Sequence, residues 1–235
     1  MTKKYLALFI VFAALPFTAF AVAFPGPTSC LLVGASNLGN QTATPLSADD
    51  STTSQSGTSQ LVDEARRRIE ATFGKPAARP TIVFLGSTSR IGPFSLNAYG
   101  STQFVGHRTC VMIGPKGRSV DIVAHELMHA ELHHRVGSLK YFLKVPTWFD
   151  EGVAMQVDFR SRYALREDKA AEADRVRELT TSSKFFVSDD KALTQNYSFA
   201  KYEVSKWLSV VGSDTLYSRL ARLKSGETFS EILAR

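Results

Sequence analysis

The stretch His125-Glu126-Leu127-Met128-His129 reads HELMH and lies in a segment whose apolar residues recur at helical spacing. Side chains four apart on a helix share a face. His125 and His129 can therefore grip a single zinc ion, with Glu126 beside the open side of the metal. Three fixed residue types at this spacing arise by chance on the order of once in a hundred chains of this length, so the neighbouring sequence must carry the reading. Ser119 is placed as the N-cap of the helix, and Asp121 meets the positive end of its dipole. Val120, Val123, Leu127 and Ala130 form its core stripe, and Gly137 stops it.

A catalytic zinc takes three protein ligands and keeps one position for water. Candidates for the third are His133, His134, Cys110 and a downstream carboxylate. His133 shares a face with His125, but eight residues of helix rise about 12 Å, too far for ligands held about 2 Å from one ion. His133 and His134 are read instead as cations at the helix C-terminus. A third histidine of the metzincin kind would stand at position 135 with glycine at 132. The chain has Arg135 and Leu132 there, which excludes that family. Cys110 as a ligand, in the manner of deformylases, is a rival.

Working outward, Leu61, Val62, Ala65, Ile69 and Phe73 predict a helix ending at Gly74. Strands are expected at Thr81 to Leu85, at Ala98 to Val105 and at Cys110 to Ile113. Beyond the HELMH helix, Pro146 opens a helix expected to reach Phe159, and Tyr163 to Leu179 reads as a charged surface helix. Further helices are expected at Tyr197 to Val211, Asp214 to Leu223 and Phe229 to Leu233. The fold class is α+β: a small mixed sheet with an edge strand, followed by a helical half.

Val145-Pro146-Thr147-Trp148-Phe149-Asp150-Glu151-Gly152-Val153-Ala154 resembles the gluzincin peptidases, the thermolysin-like and alanyl-aminopeptidase-like group. In that group a second helix carries a glutamate ligand in a Trp-x-x-Glu-Gly-x-Ala context. The resemblance implies that Glu151, with twenty-one residues between it and His129, completes a Zn2+ site with His125 and His129. It also implies a zincin-like fold over roughly Thr81 to Leu233, with Gly152 allowing close helix approach. Asp150 departs from the asparagine usual in the aminopeptidases. Without the resemblance, Asp150 and Glu151 are ordinary first-turn acids. A third matching piece is Tyr197-Ser198-Phe199-Ala200-Lys201-Tyr202, where related proteins open a helix with a tyrosine that donates to the oxyanion. Tyr197 is the first candidate for that role and Tyr202 the second. The plainer reading of Tyr197 is a core tyrosine.

The implied chemistry is hydrolysis of a peptide or protein substrate, with Glu126 as general base. Extended peptide would pair with the edge strand at Ala98 to Phe104. Asp158 either orients a ligand histidine or is a solvated acid. Between Glu70 and Glu126 the only acidic residue is Asp121, so the strand has no carboxylate for a free α-amino group. An endopeptidase is therefore expected in preference to an aminopeptidase. The competing expectation is a non-catalytic exported domain, metal-binding or protein-binding, that keeps the fold without turnover; the presence of Glu126 speaks against it.

Lys3 and Lys4 precede an uncharged run from Tyr5 to Phe24 with Ala-x-Ala sites ending at Ala21 and Ala23. Residues 1–23 are read as a signal peptide or an uncleaved membrane anchor, and either places the domain outside the cytosol. Residues 24–60 read as a flexible Ser/Thr-rich tether, and residues 61–235 as the folded domain. Cys30 and Cys110 suit an oxidising compartment and could pair. Cys30 lacks the upstream aliphatic residue of a lipoprotein site. In a chain of 235 residues, 44% of them hydrophobic, a net charge of +6 is scattered and forms no basic groove, so nucleic-acid binding is not expected. Membrane contact is expected only through residues 1–23, and the sequence leaves the oligomeric state open.

Overall fold

The computed structural model describes Cys30 and residues 52–85, 98–106 and 108–234. Residues 1–23 lie outside the described residues. Helix α1 (Thr52–Phe73) presents Val62, Ala65, Ile69 and Phe73 to the core and ends at Gly74, which has φ +90°. It begins at Thr52 rather than at Leu61, so the end of the 24–60 stretch is helical and not an open tether. Gly57, Ser59 and Gln60 are exposed, so packing still begins where the apolar stripe does. Once the packed turns have met the cost of nucleation, extending a helix adds a hydrogen bond for each residue fixed.

Three strands follow: β1 (Thr81–Phe84), β2 (Gly100–Val105) and β3 (Arg108–Ile113). Their order is β1-β3-β2, with β1 parallel and β2 antiparallel to the central β3. Strand alternation sorts the side chains to two faces. Ile82, Phe84, Val111 and Ile113 enter the main core. Val83, Leu85, Met112 and Cys110 face the other way and pack with Cys30, to which Cys110 is disulfide-bonded. The bond removes Cys110 from the candidate metal ligands.

The motif helix α2 (Val120–Val136) starts at Ser119, whose Oγ accepts from the Ile122 amide at 3.3 Å, and ends at Gly137. It is buried on nearly every side, packed by α1, by β2 and β3, and by two later helices, α4 (Thr147–Ala154) and α7 (Leu216–Ser225). That burial corrects the reading of His133 as a helix-end cation. His133 is enclosed, stacked on Phe104 with ring centroids 4.4 Å apart, and burial lowers its pKa. Only His134 is exposed. Glu131 is also fully buried. Its carboxylate accepts from the amides of Ala77 (2.9 Å) and Ala78 (2.7 Å) and from Arg135 (2.6 Å), which ties the link between α1 and β1 to the motif helix.

A short helix not anticipated from sequence, α3 (Ser138–Lys144), joins α2 to α4. Pro146 is the N-cap of α4, which stops at Ala154 rather than reaching Phe159. The reason is local. The Gln156 side chain takes the Gly152 carbonyl at 2.8 Å, the acceptor that a continuing α-helix would give to the Gln156 amide, and that amide turns to Val153 instead. The expected surface helix at Tyr163 to Leu179 is a run of 3-10 turns, Ser161–Tyr163 and Glu167–Glu178, with only Ala173 and Val176 of the second run buried. Arg177 anchors that run to the buried Glu203 at 2.7 Å. After a single turn, α5 (Ser182–Phe185), comes α6 (Asp190–Val211), N-capped by Asp189. Tyr197 therefore lies inside α6 rather than opening it. The chain closes with a 3-10 turn (Ser213–Thr215), α7 and α8 (Phe229–Leu233).

The architecture is α+β, a small mixed sheet followed by helices. Among the described residues no helix is long and apolar enough to cross a membrane. Close contact between α4 and α6 depends on Gly152: a Cβ there would stand 2.6 Å from the Ala200 carbonyl oxygen and 2.6 Å from Val204 Cγ2. Gly152→Ala is expected to cost about 1–3 kcal/mol of stability as an overpacked contact, read as a lowered midpoint in urea denaturation.

Candidate metal centre

Helical spacing puts His125 and His129 on one face of α2, and α4 brings Glu151 against them. The two Nε2 atoms are 3.1 Å apart, and Glu151 Oε2 lies 3.3 Å from that of His125 and 3.6 Å from that of His129. Three ligands about 2.0–2.1 Å from one ion in tetrahedral array stand about 3.3 Å from one another. The triangle has the size of a single coordination shell. Glu151 Oε2 is buried and accepts no hydrogen bond among the described residues. An unpartnered buried carboxylate oxygen is costly, and a cation at the centre of the triangle would satisfy it. These three residues, all buried, could hold a metal ion.

Outer groups support both imidazoles. Asp150 Oδ2 lies 3.1 Å from His129 Nδ1 and accepts from the Tyr141 hydroxyl at 2.7 Å. Asp158 Oδ2 lies 3.8 Å from His125 Nδ1, and Arg160 Nε donates to its two oxygens at 2.9 and 3.0 Å. Asp158 is thus a fully buried acid and not a solvated one. Burial works to raise its pKa, but the Arg160 hydrogen bonds and the His125 charge hold it below the ordinary carboxylate value. For His129, burial works downward, while Asp150 and Glu151 more than offset it and raise the imidazole to about 10. Metal binding at the site would release that proton.

Glu126 points from the same helix turn toward β2. Thr102 Oγ1 lies 2.8 Å from Glu126 Oε2 and 2.9 Å from the Glu126 carbonyl, which fixes the side chain against the strand. Gly100 leaves the room it needs: a Cβ there would stand 2.8 Å from Glu126 Oε1. Among the described residues β2 lies at the outer side of the sheet, so the expected edge strand runs past Glu126. The Tyr197 ring lies 6.2 Å from the His125 ring, between Tyr163 and Phe185. Burial, with Glu151 and Glu126 behind it, pushes its hydroxyl well above the ordinary tyrosine value, so it stays a donor. Its hydroxyl makes no hydrogen bond among the described residues. Tyr202 packs on the core, as Tyr197 also does.

The sequence reading did not find Gly100, Thr102, Tyr141 or the pairing of Asp150 with His129. A glycine within a strand is the one available signal, since it often marks a close approach. Comparison of the chain with protein-family models and with curated proteins returns no match. The metal-binding assignment therefore rests on the geometry. Asp150→Ala and Tyr141→Phe are expected to weaken metal binding by about tenfold to a hundredfold, and Glu151→Ala to abolish stoichiometric binding, each measured by titration against a competing chelator.

Proposed function

We propose that the protein is an exported zinc metallopeptidase of the gluzincin kind, with His125, His129 and Glu151 as ligands and Glu126 as general base. The observation that carries this reading is the convergence of the three ligand atoms on one point, with separations of 3.1, 3.3 and 3.6 Å. The donor set, two imidazoles and a carboxylate, suits zinc. When bound, zinc polarises the substrate carbonyl and lowers the pKa of a water toward about 7.

The chain's own residues supply the rest. Extended peptide pairs with the outer side of β2, which sets the carbonyl beside Glu126. Glu126, held by Thr102, takes the proton of the attacking water and passes it to the departing amine. The hydroxyl of Tyr197, whose ring lies 6.2 Å from that of His125, donates to the developing oxyanion. Asp150, 3.1 Å from His129 Nδ1, holds that imidazole in orientation, and Asp158 sets a negative charge beside His125. Asp121, the one acid between Glu70 and Glu126, already accepts from Arg68 and the Phe159 amide, which favours internal cleavage. The basic-then-apolar start of the chain and the Cys30 to Cys110 disulfide support export.

A peptide-library digest with the wild-type protein beside its Glu126→Gln form tests the reading. Cleavage is expected from the wild type alone, with zinc bound by both; equal activity of the two would refute the role of Glu126. Metal bound without cleavage by either would instead favour a non-catalytic domain. Tyr197→Phe is expected to lower kcat by about a hundredfold to a thousandfold, the usual effect of removing an oxyanion donor, measured on a quenched fluorescent peptide.

A further inference from the structure

Helix α3 carries an apolar stripe that faces solvent. Leu139, Phe142 and Leu143, at i, i+3 and i+4, are 72%, 62% and 69% exposed. A patch of this kind marks a binding surface more often than a bare exterior. Two contacts fix its place. Ser138 Oγ donates to the Gly106 carbonyl at 2.5 Å, which ties the start of α3 to the turn after β2. Phe142 meets Phe104 of β2 edge-on, with ring centroids 5.7 Å apart. Tyr141 touches both rings and reaches Asp150 beside the metal ligands. The stripe therefore borders the catalytic site.

Strand register decides which part of a bound peptide would meet it. The Gly114 amide donates to the Tyr99 carbonyl at 2.8 Å, and the pairing continues through Gly100 opposite Ile113. Bonded and non-bonded pairs alternate in an antiparallel ladder. Gly100, Thr102 and Phe104 therefore turn their amides and carbonyls toward the outer edge. A peptide added there in the more stable antiparallel sense sets the residue opposite Phe104 on the same face as Phe104, toward α2 and α3. That residue precedes the one opposite Thr102 by two positions, about 7 Å of strand. Thr102 holds Glu126, so the residue near the stripe lies on the N-terminal side of the bond to be cleaved.

Resting on the peptidase reading, we propose that Phe104 with Leu139, Phe142 and Leu143 forms a subsite for a large apolar side chain N-terminal to the scissile bond. The enzyme then selects apolar segments of its substrate.

A peptide library cut by the wild-type protein, with sites read by mass spectrometry, is expected to show Leu, Ile, Phe or Met enriched two to three residues upstream of the cut. In matched peptides carrying Leu or Ser at that position, kcat/KM should differ by about tenfold or more. Phe142→Ser and Leu139→Ser, at exposed positions and checked for folding by circular dichroism, should bring that ratio toward one, mainly through KM. Cleavage with no upstream preference, an apolar preference only downstream, or an unchanged ratio in both variants overturns the subsite and leaves the peptidase reading standing. Absence of any Glu126-dependent cleavage overturns both. Sedimentation velocity provides a separate check: a wild-type dimer that the two substitutions dissociate would assign the stripe to a second copy of the chain instead.

Discussion

Two imidazoles and a carboxylate meet in a place with little water, and much of the surrounding structure answers to that constraint. Polar groups of this kind are stable inside a protein only when each is paired. Asp150 and Tyr141 attend one histidine, and Asp158 and Arg160 attend the other. The supports come from different parts of the chain: Tyr141 from α3, Asp150 from α4, and Asp158 with Arg160 from the segment that follows. Moving any of these elements leaves a buried charge exposed to its own desolvation cost. Among the described residues, Glu151 Oε2 at the centre accepts no hydrogen bond from the protein.

Backbone proximity is the second requirement. Helix α2 brings its histidines to α4 only because α4 is itself pressed from behind by α6, and at Gly152 the two backbones come closer than any side chain would allow. On the other side, β2 approaches the same turn of α2 through Gly100 and Thr102. Small residues at these two points let one helix face both a metal-binding group and a strand edge.

Where side-chain pattern alone sets structure, the sequence was readable. The caps Ser119 and Gly137, the alternating strands and the α1 stripe lie where their spacing places them. Glu151 meets the histidines as the Trp-x-x-Glu-Gly segment implied. What escaped the reading depends on tertiary contacts. A buried His133 or Glu131 has the same letters as an exposed one, and only the packing of α2 on every side separates them. The early end of α4 comes from one glutamine side chain competing for a carbonyl. Helix α3 carries its apolar stripe outward, so it lacks the core-facing pattern that would announce a helix to a reader of sequence.

The bond between Cys30 and Cys110 spans 80 residues in sequence and ends on the central strand of the sheet. A proteolytic cut anywhere between them leaves both fragments joined in one covalent molecule. A nicked chain would run as intact on a non-reducing gel and separate into fragments once thiol is added. The residues around Cys30 would stay attached to the rest of the chain through such damage.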